Sequence, residues 1–387
     1  MKIGMASTYP PMRCGIGIYA QKLLRAMAEE HPHTDIYVIG EHGTEDDSHA
    51  GVTASAVYSR HGNYADDILR QAQALNLDLL HFQHAPDLFG ADDRLPELLR
   101  RLKQAGIRTA VTLHTVHEEK PLHKVASRWS PVPFHRALGL WADTIVVHHK
   151  QGMADMLIAQ GIDAKKIAVI PHGTSLMTLG DVTESRRHLG LPEDAVVLTF
   201  FGFIHIQKNV HTAVEAFIRA AQNNPKAVLY ITGMPFENRW YNRLYIQALR
   251  TRARLKGLAD RIIIEDAYIP PENVAHVYTA SDILLLPHWQ RYGSASGVFH
   301  QSIGAGKPVL CAKGPKFEDG LKQLASHPEL MPAPLSISQW TTAIDLLLQD
   351  ETLREQVTRL FSAYAHDTTW AKVARKHHQV YEKSVKG

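Results

Sequence analysis

The chain has 387 residues, of which 45% are hydrophobic and 21% are charged, and its formal net charge is +3. This length suits two domains of ordinary size, and the composition is typical of a folded globular protein rather than a disordered one. The net charge is too small for a typical nucleic-acid-binding domain, so nucleic acid is excluded as a predicted partner.

The sequence predicts neither a metal site, nor a disulfide, nor a membrane span. Two cysteines, Cys14 and Cys311, cannot build a disulfide framework or a cysteine-rich zinc site. The 24 histidines include no His-Glu-x-x-His motif. The first residues do not resemble a signal peptide, and no apolar run approaches the length of a membrane-spanning helix. We therefore expect a cytoplasmic protein. A peripheral contact with the inner face of the membrane and the oligomeric state are left open.

Short apolar strands alternate with amphipathic helices along the first half of the chain. This alternation predicts a parallel sheet covered on both faces by helices, with ligands at the carboxyl ends of the strands. The predicted strands are 2–6, 35–40, 78–82, 108–113, 144–147 and 166–170, and helices are predicted over 16–30, 95–105 and 151–160.

The same alternation restarts in the second half and predicts a second α/β domain. We divide the chain into an N-terminal Rossmann-like domain (1–178), a C-terminal Rossmann-like domain (179–368) and a final helix (369–387). The predicted strands of the second half are 195–201, 227–232, 261–265, 282–286 and 307–311, and its helices are 210–222, 239–256 and 271–279.

Three loops have the composition of phosphate-binding loops. Gly15 and Gly17 precede the first helix, whose free N–H groups favour an anion, although an ordinary strand-to-helix turn fits equally well. Lys208 follows the strand 195–201 at a helix start, where the helix dipole disfavours a lysine unless an anion is nearby. A run of small residues from Gly293 to Gly297 opens another helix, and Gln301 lies one turn further on.

Several of these segments together resemble the group 1 (family four) retaining glycosyltransferases of the GT-B fold. The segments are YPPMRCGIGIYAQKLL, VTLHT, IAVIPHGT, FFGFIHIQKN and ASDILLLP followed by GSASGVFHQSIGAGKPVL. The resemblance spans the whole chain. It implies two Rossmann-like domains that face each other across the active-site cleft, with a C-terminal helix that returns to the N-terminal domain.

The resemblance also assigns roles to individual residues. Lys208 matches the lysine that contacts the donor diphosphate, and His114 matches the histidine near the transferred sugar; we expect both to be catalytic. Donor contacts are further expected from Gly15, Phe203, Tyr268, Ile269, Ser296, Gly297, Val298 and Gln301. His84 and His172 are candidates for the acceptor side, and a core position is the alternative for each histidine.

Three positions depart from the family pattern. Phe203 stands where the family usually has an arginine, and the two glutamates of its Glu-x7-Glu motif fall at Gly293 and Gln301. Glutamine still donates and accepts hydrogen bonds, but glycine cannot replace a carboxylate. Arg291 and His300 are candidates to replace it.

The resemblance implies transfer of a hexosyl group from a nucleoside-diphosphate sugar, with mannosyl from GDP-mannose favoured over glucosyl from UDP-glucose. The acceptor would be a hydroxyl of a glycan, a lipid-linked sugar or a small molecule. No prosthetic group is expected, and no divalent metal is expected to be required. Two alternatives stay open: an epimerase or hydrolase of the same fold using Glu118 or Glu119 as a base, and a non-catalytic nucleotide-sugar-binding relative.

Overall fold

The computed structural model describes residues 1–47, 49, 51–118, 131–236, 240–290 and 292–386. The chain forms two compact units. The first unit contains Met1–Gly173, Tyr292–Ala295 and Thr368–Gly387, and the second contains Thr174–Arg291 and Ser296–Asp367. Each unit has a hydrophobic core of its own.

The first unit is built on a sheet of seven parallel strands. Its strands are β1 (Lys2–Ser7), β2 (Asp35–Glu41), β3 (Val52–Tyr58), β4 (Leu79–His84), β5 (Arg108–Leu113), β7 (Thr144–Val147) and β8 (Ile167–Val169), with a separate short β6 (Thr115–Val116). The spatial order is β3-β2-β1-β4-β5-β7-β8. Every residue of the central strand β4 is buried, as expected where helices cover both faces of a sheet.

Helices cover this sheet and supply most of its packing. They are α1 (Gly15–Glu30), α2 (Tyr64–Ala74), α3 (Pro86–Phe89), α4 (Arg94–Gln104), α5 (Pro131–Trp141), α6 (Asp155–Ala159) and α15 (Trp370–Lys386). The last of these comes from the end of the chain and packs against α1. Its buried face includes Val373, His377 and Tyr381. The predicted return of the C-terminal helix to the N-terminal domain is therefore confirmed.

The second unit contains a five-stranded parallel sheet in the order β11-β10-β9-β12-β14. The strands are β9 (Val196–Phe201), β10 (Ala227–Thr232), β11 (Ile262–Glu265), β12 (Ile283–Leu286) and β14 (Val309–Cys311). The short β13 (Gly293–Ser294) precedes β14 in the chain but belongs to the first unit. The helices are α7 (Val182–His188), α8 (Val210–Ala220), α9 (Trp240–Leu255), α10 (Pro271–Ala280), α11 (Gly297–Gly304), α12 (Glu318–Gln323), α13 (Ile337–Gln349) and α14 (Glu351–Asp367). The predicted α/β class with two parallel sheets is confirmed.

Three local features differ from the sequence expectations. The edge strand β3 was not predicted, because its sequence VTASAVY is rich in small residues and several of them are exposed. The predicted helix over 151–160 is a π-helical turn, Lys150–Ala154, followed by the short α6. The two-residue strand β13 pairs antiparallel with β6, so the segment Tyr292–Ala295 groups with the first unit instead of with its sequence neighbours.

Within the described part of the chain, no helix has the length and apolar character needed to cross a membrane. Over the same residues, no group of three histidine, cysteine, aspartate or glutamate side chains is arranged to hold a metal ion.

Candidate functional site

The carboxyl edge of the second sheet has the geometry of a ligand site. Strands β9 and β12 are neighbours in the sheet. The chain adds β10 and β11 on one side of β9, and it then adds β12 and β14 on the other side. Such a reversal of strand order opens a crevice beyond the carboxyl ends of the two strands. Lys208 lies in the loop after β9, His288 in the loop after β12, and Lys316 in the loop after β14.

The loop that carries Lys208 is fixed against the end of β12. Lys208 closes one turn of 3₁₀ helix, Ile206–Lys208, and the buried Asn209 next to it has a left-handed backbone with φ of 55°. The Nδ2 of Asn209 donates a hydrogen bond of 3.0 Å to the carbonyl oxygen of Pro287. Trp289 N donates a second bond of 3.0 Å to the carbonyl oxygen of Gln207. Burial lowers the pKa of Lys208 to about 8.

The N-terminus of α11 adds backbone donors in the same unit. Ser296 caps the helix, and its side-chain oxygen accepts a bond of 3.3 Å from Phe299 N. The N–H groups of Gly297 and Val298 belong to the first turn, where no intrahelical acceptor exists. A Cβ built on Gly202, just after β9, would lie 3.6 Å from the Val298 side chain. The end of β9 and the start of α11 are therefore in contact, and the helix dipole there favours an anion.

Three other predicted donor residues belong to the second unit. The Oε1 of Gln301 accepts a bond of 3.0 Å from the hydroxyl of Tyr278, which leaves the amide hydrogens of Gln301 as donors for a ligand. Tyr268 and Ile269 lie in the loop after β11. Tyr268 is 43% exposed, while Ile269 packs against an apolar cluster that contains Tyr230.

Phe203 occupies the position of the family's arginine, at the end of β9. Its ring is 45% exposed and lies 5.6 Å from the ring of Phe236 in an edge-to-face arrangement. This side chain carries no charge that could neutralise a phosphate.

Packing explains the glycine at position 293. A Cβ there would lie 1.8 Å from the carbonyl oxygen of Gly152, so position 293 has no room for a side chain. His300, a candidate replacement for the missing carboxylate, is buried, and its Nδ1 lies 2.7 Å from the hydroxyl oxygen of Thr174. Arg291, the other candidate replacement, lies outside the described residues. Glu119, a candidate base in the epimerase or hydrolase alternative, also lies outside them.

His114 follows β5 in the first unit and is partly buried among polar side chains. Its Nε2 donates to Gln83 Oε1 at 2.8 Å, and His148 Nδ1 donates to the carbonyl oxygen of Ile170 at 3.1 Å. The remaining nitrogens, His114 Nδ1 and His148 Nε2, face each other at 3.3 Å. Burial, followed by the neighbouring imidazoles of His148 and His172, holds the pKa of His114 well below its usual range. His114 is therefore neutral at pH 7.

The other candidates of the first unit have different surroundings. Gly15 begins α1 and is exposed, and no atom lies within 4 Å of a Cβ built on it. His84 is the last residue of β4 rather than a residue beyond it, and its Nε2 donates to the carbonyl oxygen of Gly90 at 2.8 Å. Burial lowers the pKa of His84 to about 4. His172 is half-buried, with its ring 5.1 Å from that of Tyr19.

Sequence reasoning did not find the basic residues that accompany Lys208. Lowered pKa values mark three of them: His205 at about 4, His288 well below its usual range, and Lys316 likewise. In each case burial is the largest cause, and the charge of Lys208 adds to it. Only the strand order could have indicated these residues, because they lie in loops that follow neighbouring strands of the sheet.

Two family descriptions match most of the chain. Glycosyltransferase Family 4 matches residues 14–177, and Glycosyl transferases group 1 matches residues 181–359. The chain is 26% identical over 275 residues to a D-inositol 3-phosphate glycosyltransferase of Stackebrandtia nassauensis, covering 67% of this chain and 59% of the relative. A protein of the same name from Actinosynnema mirum is 26% identical over 282 residues, covering 68% and 64%. The chain thus spans about three fifths of the length of these relatives.

Solved structures share the fold across the whole chain. HepE of Anabaena, crystallised in complex with UDP, superposes with a TM-score of 0.74 at 14% identity and covers 99% of this chain and 100% of its own. Sucrose-phosphate synthase of Thermosynechococcus elongatus gives 0.74 at 17% identity, with 99% and 98% covered. The chain belongs to the group 1, family 4 glycosyltransferases and has the GT-B fold.

Proposed function

We propose that the protein is a retaining glycosyltransferase that moves a hexosyl group from a nucleoside-diphosphate sugar to an acceptor hydroxyl. The observation that carries the proposal is the position of Lys208 at the switch point of the second sheet, in the same unit as the open N-terminus of α11. A lysine and backbone N–H groups at a helix start are donors suited to a diphosphate.

In the proposed reaction, the acceptor oxygen forms a bond to the anomeric carbon while the bond from that carbon to the diphosphate oxygen breaks. Attack comes from the leaving-group side, and the proton of the acceptor hydroxyl passes to a phosphate oxygen. Lys208 and the amides of Gly297 and Val298 would stabilise the negative charge that develops on the diphosphate. Because these groups supply the stabilisation, the proposal requires no divalent metal.

The first unit would contribute His114 to the transferred sugar. A neutral imidazole whose Nε2 hydrogen is already held by Gln83 suits a positioning role better than that of an acid. Glu118 is exposed. Its role as a base belongs to the hydrolase or epimerase alternative, which the test below distinguishes. Of the two acceptor-side candidates, the half-buried His172 is retained. His84 is buried and bonded to Gly90, which argues against direct contact with a substrate.

The comparisons suggest which substrates to examine first. HepE of Anabaena was crystallised with UDP-glucose, and the relatives are named D-inositol 3-phosphate glycosyltransferases. We therefore propose a UDP- or GDP-linked hexose as donor, with GDP-mannose and UDP-glucose both in the panel. We propose a polyol or sugar hydroxyl as acceptor, and inositol 3-phosphate is the first to assay.

The test is turnover of UDP-glucose and GDP-mannose with a panel of acceptors in the presence of EDTA. We expect release of the nucleoside diphosphate that depends on the acceptor, and a product whose anomeric configuration by NMR matches the donor. An inverted product would refute the retaining mechanism. Nucleotide release that needs no acceptor would favour the hydrolase or epimerase alternative.

A further inference from the structure

The switch point of the second unit contains a second lysine, Lys316, in addition to Lys208. Lys316 lies in the turn Pro315–Phe317 after β14, which pairs with β12. The pKa of Lys316 is lowered well below its usual range by burial and by the charge of Lys208. Two lysines therefore repel each other in partly buried positions. An anion close to both lysines would be favoured by their charges.

The packing around Phe317 fixes where Lys316 lies. The Phe317 ring is buried, 5.3 Å from the ring of His288 and 6.0 Å from that of Phe299. Phe299 N is the group that bonds to the Ser296 cap of α11. The turn that carries Lys316 is therefore anchored beside both the loop after β12 and the first turn of α11.

His288 is a second, independent indication of a ligand here. Its side chain is 4% exposed, and among the described residues its Nδ1 has no hydrogen-bond partner. A buried polar atom is normally hydrogen-bonded, so an unpaired one calls for an explanation. The pKa shifts of His288 and His205 come from burial and from basic neighbours, and that of Lys208 comes from burial; no carboxylate is a cause of any of them.

We propose that Lys316 provides the second positive charge that holds the donor diphosphate. Its charge would replace that of the family's arginine, whose position is occupied by Phe203. His288 lies beside it as a further hydrogen-bonding group. The inference rests on the proposed function and adds a residue to it. Lys316 and Lys208 come from loops after different strands, β14 and β9, so together they flank the crevice above β12.

The experiment is calorimetric titration of Lys316→Met with UDP, GDP, ADP, the matching monophosphates and inorganic pyrophosphate. Wild type, Lys208→Met and Lys313→Met are measured in parallel. Lys313 is an exposed lysine of the same loop and serves as the matched control. We expect Lys316→Met to bind the diphosphate that wild type prefers at least 10-fold more weakly, as for a lost charge-assisted hydrogen bond. Binding of the monophosphate is expected to change less than 2-fold, and Lys316→Arg should retain most of the affinity.

Lys316→Arg separates this role from a structural one, because arginine keeps the charge while methionine keeps only the apolar stem. We expect Lys316→Arg to bind the diphosphate more tightly than Lys316→Met does. Diphosphate binding by Lys316→Met within 2-fold of wild type while Lys208→Met has lost it, or an equal loss of monophosphate and diphosphate binding, would overturn the inference and leave the proposed function intact. If wild type binds none of the nucleotides, the proposed function fails as well.

Discussion

Replacing Gly293 by alanine tests whether packing, rather than loss of activity, explains the absence of the family's carboxylate. The new Cβ would lie 1.8 Å from the carbonyl oxygen of Gly152 and 2.8 Å from the Met153 side chain. The first contact is with backbone, so β13 and the π-helical turn must separate by about 1 Å or more. Overpacking of this kind costs about 1–3 kcal/mol, and we expect the upper end because the closest contact is with backbone, which cannot rotate aside as a side chain can.

For a unit of this size, a loss of about 3 kcal/mol lowers the melting temperature by roughly 6–12 °C. The assay is thermal unfolding of the ligand-free protein, and Gly180→Ala is the matched control. No atom lies within 4 Å of a Cβ built on Gly180, so that variant should stay within about 0.5 kcal/mol of wild type. If Gly293→Ala melts within 2 °C of wild type, the packing explanation is refuted. Gly293→Glu should be at least as unstable as the alanine variant.

Three further predictions use buried or partly buried groups. The pKa of Lys208 is about 8, so Lys208 carries its charge below pH 8 and loses it above. The affinity for UDP or GDP, measured by calorimetry, should therefore fall roughly tenfold per pH unit from pH 8 upward. A constant affinity would contradict the diphosphate role. His114 is held neutral, so the pH profile of kcat/KM between 5.5 and 7.5 should contain no inflection that His114→Gln removes. Tyr381→Phe leaves His81 Nδ1 unpaired and should cost about 1–3 kcal/mol in chemical denaturation, whereas Tyr37→Phe should cost less than about 0.5.

The sequence predicted the sheets well because their signal is local. Buried parallel strands are continuous apolar runs, and the runs at 108–113, 144–147 and 227–232 have the bounds found in the structure. The small sheet of β6 and β13 could not be predicted in this way. It joins Thr115–Val116 to Gly293–Ser294, two short segments far apart in the chain whose residues show no strand pattern.

The same distinction applies to the candidate site. Lys208 and the start of α11 were found because a strand, a loop and a helix follow each other in sequence. Lys316 and His288 were missed because only the strand order brings their loops together. The spacing of the family motif showed that Gly293 stands where the family has a glutamate. The steric reason for the glycine depends on Gly152, which is more than a hundred residues away in the chain. Contacts of this kind arise from tertiary packing and leave no periodic pattern in the sequence.

The most direct test of the central claim is a calorimetric titration of the wild-type protein and Lys208→Met with UDP and GDP at pH 7. We predict that one of the two nucleotides binds the wild type. We also predict that the variant binds it 10- to 100-fold more weakly, which corresponds to the loss of about 1.5–3 kcal/mol expected for charge-assisted hydrogen bonds. Equal affinity of the two proteins for that nucleotide would contradict the assignment of Lys208 to the donor diphosphate. Absence of binding to both nucleotides would contradict a UDP- or GDP-linked donor.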